Sequence, residues 1–189
     1  SQVKATVTNL EDGDACTVAV SGGDAINAGT YIAKATGLSN TNYALPATGL
    51  TQAYKITKAH FDMSGVKWNY TKAFTYDGTD KTIALTGLPS GLTVASYTAN
   101  TARNTGTYTA SAKFTYNTTN YNEPIFDDLT WTINTRAVVL NWQSHENRIY
   151  DGNASKVTAT VANLVAGDDC IVTVVGGDAI NVGTYTATA

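Results

Sequence analysis

Charge is scarce in this chain. Lys, Arg, Asp and Glu make up 14% of its 189 residues, where a soluble domain usually carries about a quarter. The balance is −3, and no cluster of Lys or Arg forms the basic footprint that nucleic acid requires, so nucleic acid is not an expected partner. No run of 18 apolar residues exists, so this segment is not expected to insert into a membrane. No signal-peptide pattern opens it, and no apolar stripe at i, i+3, i+4 and i+7 is long enough for a substantial helix. Proline occurs three times, methionine once and cysteine twice, which excludes a disulfide-stapled scaffold. Thr, Ala, Asn, Gly and Tyr fill the vacant share, a mixture suited to half-buried strands joined by Gly and Asn turns.

The sequence repeats itself. Residues 155–189 match residues 1–35 at 23 of 35 positions without a gap, at an offset of 154. A weaker echo halves that period: Gly-Thr-Tyr occurs at Gly29–Tyr31, Gly106–Tyr108 and Gly183–Tyr185, spaced by 77 each time. Ile56-Thr57-Lys58-Ala59 answers Ile133–Ala137 with one insertion, and Tyr76-Asp77-Gly78 answers Tyr150-Asp151-Gly152. The chain looks like a window cut from a longer tandem array. Its expected domains are residues 1–59, a repeat lacking its first strands; 60–137, a complete repeat; and 138–189, a repeat lacking its last strands.

Period-two alternation predicts strands at Lys4–Thr8, Cys16–Val20, Thr30–Ala35, Thr82–Leu85, Thr107–Phe114, Leu129–Ile133, Val157–Val161 and Thr184–Thr188. Turn clusters such as Glu11-Asp12-Gly13-Asp14 and Ser21-Gly22-Gly23-Asp24 lie between them. The fold class expected is all-β: small immunoglobulin-like β-sandwich repeats in an extended array. β-Grasp repeats are the alternative, but Leu38–Leu45 is short and Asn-rich for the helix they need. The junctions near 59/60 and 137/138 contain neither Gly nor Pro, so a semi-rigid array is expected.

Together these motifs resemble the MBG and YDG families of bacterial extracellular repeat domains. The resemblance is carried by Tyr-Asp-Gly at 76–78 and 150–152 and by Asn-x-Gly-Thr-Tyr-x-Ala at 27–33, 104–110 and 181–187. Asn42-Tyr43, Asn120-Tyr121 and the closing Ile-Thr-Lys-Ala add to it. The chain is also similar to bacterial immunoglobulin-like repeats. The resemblance implies a secreted or surface-anchored bacterial protein in which such modules serve as spacers of adhesin-like chains, with no catalytic residues. Physically, Gly opens a strand after a tight turn. Tyr31, Tyr108 and Tyr185 and the residue two later then share one face, each ring in the core and each hydroxyl at the rim.

Candidate sites are few. The acidic loops Glu11–Asp14 and Gly167-Asp168-Asp169 offer oxygens for calcium, yet the EF-hand spacing is missing and a solvated turn is the expectation. His60 and His145 lie 85 residues apart with no second ligand nearby, and no Gly-x-Ser-x-Gly elbow occurs. Cys16 and Cys170 occupy equivalent positions, with Thr93 between them in the middle repeat. They are expected to be small apolar strand residues, with a bridge between neighbouring fibres as the alternative. Trp68 and Trp142, each eight residues before a Tyr-Asp-Gly, are expected in core or interdomain space, as is Trp131. With Tyr97, Tyr116 and Tyr121 they are also the residues a sugar platform would use. A Lys–Asn isopeptide would draw on Lys67 or Lys72 and Asn117 or Asn134. No catalytic, cofactor-binding or metal-ligating residue is assigned, and no cofactor is expected. The reading is a structural stalk or spacer, not an enzyme. Its partners would be neighbouring repeats, with other copies in a fibre joined by strand exchange, or a glycan or host protein, as alternatives.

Overall fold

The computed structural model describes residues 2–143 and 148–189. Strands β1 (Val18–Ser21), β2 (Gly29–Leu38) and β3 (Thr51–Ile56) come first. Four two-residue strands follow: β4 (Lys67–Trp68), β5 (Phe74–Thr75), β6 (Lys81–Thr82) and β7 (Leu85–Thr86). Next are β8 (Thr93–Thr98), β9 (Thr101–Ala102), β10 (Gly106–Thr115) and β11 (Leu129–Asn134). The last are β12 (Leu140–Gln143), β13 (Ser155–Lys156), β14 (Thr158–Val161) and β15 (Asp178–Ala179). No helix occurs among the described residues, so the chain is all-β and none of these residues plays the part of a β-grasp helix. Leu38–Leu45, the one segment weighed for that helix, is the end of β2 followed by turns.

Two compact units are present. One comprises Ser1–Lys67, Leu85–Tyr97 and Ala112–Asp127; the other comprises Trp68–Ala84, Thr98–Ser111 and Asp128–Ala189. Each takes in one terminal segment of the expected repeat pattern and part of segment 60–137.

In the first unit β1, β2 and β3 form an antiparallel sheet in that order, and β2 and β3 pair Gly29 with Ile56 and Tyr31 with Tyr54. In the second, β10 and β11 pair in the same way, Gly106 with Ile133 and Tyr108 with Trp131. Strand β5 adds to β11 in parallel, Phe74 beside Ile133. The register recurs elsewhere: Lys81 faces Ala102 across β6 and β9, and Ser155 faces Ala179 across β13 and β15. A one-residue slip would send every side chain to the opposite face, so the shared register shows that the sequence copies bury the same positions.

Alternation along β11 sends Trp131 and Ile133 inward, and with Ile83 and Ala110 they form the core cluster of the second unit. Trp68, Phe74 and Tyr108 pack around it, Phe74 edge-on to Trp131 at 6.0 Å and Tyr108 tilted against it at 5.1 Å. Burying an indole leaves its N–H in need of an acceptor. The Ala99 carbonyl provides one at 2.9 Å, on the one non-glycine residue with positive φ (49°) among those described. The first unit buries Ala33, Val66, Leu85 and Leu92. The expected pairing of Tyr with the residue two later holds best at Ala33 and Ala110, both buried.

Cys16–Val20 and Val157–Val161 form slightly short, as Val18–Ser21 and Thr158–Val161, and three further predicted strands break up. Lys4–Thr8 keeps a single bridge, Thr6 to Thr17, and Thr184–Thr188 keeps one, Val175 to Thr188. Thr82–Leu85 splits into β6 and β7, because Ile83 turns fully into the core while its N–H bonds the Asn100 carbonyl at 2.9 Å. The loss at Thr184–Thr188 has a clear physical cause. Gly183–Ala189 corresponds to β2 and β10, each flanked by a closing strand, β3 or β11; no such strand flanks it among the described residues. Without that ladder Tyr185 is 55% exposed, against the expectation of a core ring, and Ile149, Ile171 and Val182 are 87–88% exposed.

Candidate functional site

The acidic turns are built by backbone first. Asp14 N–H closes onto the Glu11 carbonyl at 3.0 Å, and Asp168 N–H closes onto the Val165 carbonyl at the same distance. Gly13 and Gly167 take φ of +88° and +92°, so the turns share one conformation although Glu11 and Asp12 become Val165 and Ala166. Their carboxylates accept tyrosine hydroxyls. Tyr43 donates to Asp14 Oδ2 at 2.6 Å, while its own oxygen accepts the Glu11 N–H at 2.9 Å. Tyr76 donates to Asp168 Oδ1 at 2.9 Å. In each case the carboxylate acceptor stabilises the neutral phenol and raises the tyrosine above its ordinary value. Among the described residues no three His, Cys, Asp or Glu side chains converge as a metal-ligand group.

The two Tyr-Asp-Gly turns share an inner architecture. Asp77 accepts from the Thr79 N–H and hydroxyl and from Lys81, while Asp151 accepts from the Asn153 N–H and from Arg148. Lys81 is the main cause that holds the Asp77 carboxyl below the usual carboxylate pKa, and the Asn153 amide is the main cause that lowers Asp151. They differ in surroundings. A methyl on Gly78 would collide with Val165 Cγ1, whereas nothing lies within 4 Å of the same position on Gly152.

Both junctions are tied down. Ala59 donates to the Asn120 carbonyl at 2.8 Å and accepts from the Asn122 N–H at 2.9 Å, and His60 Nε2 lies 3.1 Å from the Asn122 amide nitrogen. The Asn120 side chain reaches the other way, accepting from Ala28 N–H at 2.8 Å and donating to Asn27 Oδ1 at 3.0 Å. At the second junction Asn163 donates to the Ala137 carbonyl at 3.0 Å and accepts the Val139 N–H at 2.7 Å. Sequence reasoning singled out Asn120 only as part of the Asn-Tyr motif, without its role at the linker, and missed Asn163. Asparagine is common in this chain, and only the fold shows which amides meet a linker.

Most of the sugar-platform aromatics are engaged in packing or hydrogen bonds within their own unit. Trp131 is fully buried and Trp68 packs against the core. Tyr121 stacks on Phe61 at 4.3 Å, Tyr116 meets Phe61 edge-on at 5.9 Å, and the Tyr97 hydroxyl accepts the Leu85 N–H at 2.9 Å. Trp142, on β12, is 39% exposed. The isopeptide candidates lack the carboxylate that the chemistry needs, because no charged residue among those described is buried. Asn117 instead caps its own turn, accepting from the Thr119 and Asn120 N–H groups. The cysteines, both free, depart from expectation in their placement: neither lies on a strand, Cys16 is half-buried and Cys170 is exposed. Each follows the acidic turn by two residues, where the backbone has not yet joined a ladder. His145 lies outside the described residues. Scans against protein-family models, curated proteins and solved structures find no match to this chain.

Proposed function

We propose that the chain is a stretch of stalk: tandem immunoglobulin-like β-sandwich repeats that act as spacers in a bacterial secreted or cell-surface, adhesin-like protein. The observation that carries the reading is that both linkers are hydrogen-bonded to the repeat that follows, through Ala59 with Asn120 and Asn122, and through Ala137 and Val139 with Asn163. A linker held on both its N–H and C=O sides loses the freedom that would let neighbouring modules hinge. A string of such modules transmits length, which is what a spacer must do. Recurrence of one register 77 residues apart, and of one acidic-turn geometry 154 residues apart, fits the same reading, since stability then becomes a sum of like units and their nearest-neighbour terms.

The test is small-angle scattering on the chain at its low-concentration limit, repeated with Asn120→Ala and Asn163→Ala. A stalk gives a stiff rod whose scattering turns towards that of a hinged chain in the variants. A compact particle, or a rod indifferent to both substitutions, removes the reading.

A filament joined by strand exchange is a second reading, favoured by one observation. Gly183–Ala189 has an edge without a closing strand among the described residues, beside a cleft of about 780 Å³ lined by Trp142, Ile149, Tyr150, Ile180 and Tyr185. Unpaired edges invite another chain. A synthetic peptide of residues 124–137, which contains β11, should then bind and protect the amides of 183–189 from exchange. If it leaves them unprotected, that reading fails.

A further inference from the structure

Strands β5 and β11 run parallel, Phe74 beside Ile133 and Thr75 beside Asn134, whereas β11 runs antiparallel to β10. The same edge of β11 makes two further bonds with the segment around β5. Thr132 N–H donates to the Tyr70 hydroxyl at 3.0 Å, and the Asn134 carbonyl accepts the Tyr76 N–H at 2.9 Å. Side chains interlock along this edge. Ile133 is buried, while Phe74 lies 5.7 Å from the Tyr70 ring and edge-on to Trp131 at 6.0 Å. In the first unit Ala59 bridges Tyr121 in the same parallel sense, through the Asn120 carbonyl and the Asn122 N–H. There Phe61 stacks on Tyr121 at 4.3 Å.

At both stations a stretch on the incoming side of segment 60–137 lies beside a stretch on its outgoing side. Parallel pairing decides how such a contact meets tension. Pulling on the chain draws β5 back toward its N-terminal end and β11 forward toward its C-terminal end. Those are opposite directions along one axis, so the load slides the strands past each other. The hydrogen bonds along this edge are then strained together instead of in turn. An antiparallel pair loaded at neighbouring ends opens one residue pair at a time. Sliding also meets the side chains. A shift of one residue sends Phe74 to the opposite face, so the next matching register lies two residues away, at about 6–7 Å.

We infer that segment 60–137 carries axial tension, with the β5–β11 edge as its shear clamp. Tyr70, Phe74 and Tyr76 hold the incoming stretch against Thr132, Ile133 and Asn134 of the outgoing one. The property this adds to a spacer is resistance to pull: a chain anchored at one end and attached at the other keeps this segment folded under load. The tension itself comes from the stalk reading, on which this inference rests. The two fail separately, because scattering reads the stiffness of the linkers, whereas the clamp is read from the direction of pulling.

The experiment pulls single molecules of the full chain at constant force, in a Cys16→Ser, Cys170→Ser background, through handles on two introduced cysteines. Lys72→Cys with Arg136→Cys, exposed positions just before β5 and just after β11, loads that edge in shear. Thr105→Cys with Thr135→Cys, also exposed, loads β10 against β11 from the end where Gly106 meets Ile133. The clamp gives a lifetime at least about tenfold longer in the first geometry than in the second, although β10–β11 is the longer ladder. Tyr70→Phe keeps the ring and removes the acceptor of the Thr132 N–H. It shortens the first lifetime about fivefold, as expected for one hydrogen bond, and leaves the second unchanged. Circular dichroism and denaturant midpoints check that every variant is folded before it is pulled. Equal lifetimes in the two geometries overturn the clamp. A Tyr70→Phe effect of the same size in both geometries, or in neither, overturns the assignment of the load to this edge.

Discussion

The Tyr76 hydroxyl reaches the Asp168 carboxylate at 2.9 Å across 92 residues of sequence. This bond connects a Tyr-Asp-Gly turn to the acidic turn of another sequence copy. The related Asp14 is reached instead by Tyr43, 29 residues away in its own copy. Equivalent carboxylates thus serve a local and a distant tyrosine, so the turn is a hydroxyl receptor whose partner is set by what stands beside it.

Gly78 and Gly152 separate turn chemistry from junction chemistry. Both have left-handed backbones, at φ of +76° and +78°, so an alanine at either costs roughly 1–2 kcal/mol. Only at Gly78 would the added methyl meet Val165. Gly78→Ala should therefore destabilise by at least about 1 kcal/mol more than Gly152→Ala, and it alone should expose the Val165–Asp168 turn. Hydrogen exchange at the Asp168 amide measures the local effect. Equal behaviour of the two variants would mean that the seat is not formed in solution.

Tyr76 also gives the contact a pH dependence. Its folded value is raised by Asp168 from the ordinary tyrosine value near 10. A raised group contributes stability fully below its unfolded value and loses it as pH rises through the folded one. The Tyr76–Asp168 bond should thus hold at neutral pH and weaken only above about pH 10. Asp77 has the opposite sign. Lys81 and Thr79 lower it, so its contribution is present above about pH 4 and fades as the pH falls below that. Exchange protection at the Asp168 amide, followed from pH 8 to 11 in wild type and Tyr76→Phe, checks the first. Protection at Thr79, followed from pH 5 downward, checks the second.

How much of this was legible depended on how local the physics is. Alternation predicted β10 and β11 almost to the residue, because each buries one face: Ala110 on one strand, Trp131 and Ile133 on the other. It failed at Thr184–Thr188, where the residues suit a strand but no closing ladder stands beside them among the described residues. Ile83 was missed as a break, since a residue that dives into the core between two short strands obeys the same apolar pattern as one inside a strand. The acidic turns were read as solvated. Their backbone is, but their carboxylates are held by tyrosines 29 and 92 residues away, a distance over which sequence pattern carries no signal. The linkers' lack of Gly and Pro hinted at stiffness, whereas the asparagines that hold them became visible only in three dimensions.

Trp131 and Trp142 should differ sharply on truncation. Trp131→Ala removes a fully buried indole from the centre of the second unit and strands the Ala99 carbonyl, so about 3–5 kcal/mol is expected. Trp142 is 39% exposed on β12, and Trp142→Ala should cost about 1 kcal/mol. Denaturant unfolding followed by Trp68 fluorescence reads both. A Trp142→Ala loss equal to that of Trp131→Ala would show that β12 is covered in solution.

The three tyrosines of Gly-Thr-Tyr fall into two classes, because Tyr31 and Tyr108 are half-buried and Tyr185 is exposed. Each hydroxyl donates to the carbonyl of an asparagine four residues back: Asn27, Asn104 and Asn181, at 2.9, 2.8 and 3.0 Å. These bonds lie at the surface, where water competes, so Tyr→Phe should cost about 0.5 kcal/mol at every site. Removing the ring should separate the sites. Tyr108 leans on Trp131 at 5.1 Å and Tyr31 stacks on Tyr54 at 5.5 Å, so Tyr108→Ala and Tyr31→Ala should each lose about 2 kcal/mol, less than a fully buried aromatic. Tyr185, 55% exposed, should lose well under about 1 kcal/mol. Adding the peptide of residues 124–137 should raise the Tyr185→Ala cost towards that of Tyr108→Ala if a closing strand is what the third copy lacks. An unchanged cost in the peptide's presence would mean that Gly183–Ala189 does not accept a strand in the β10–β11 register.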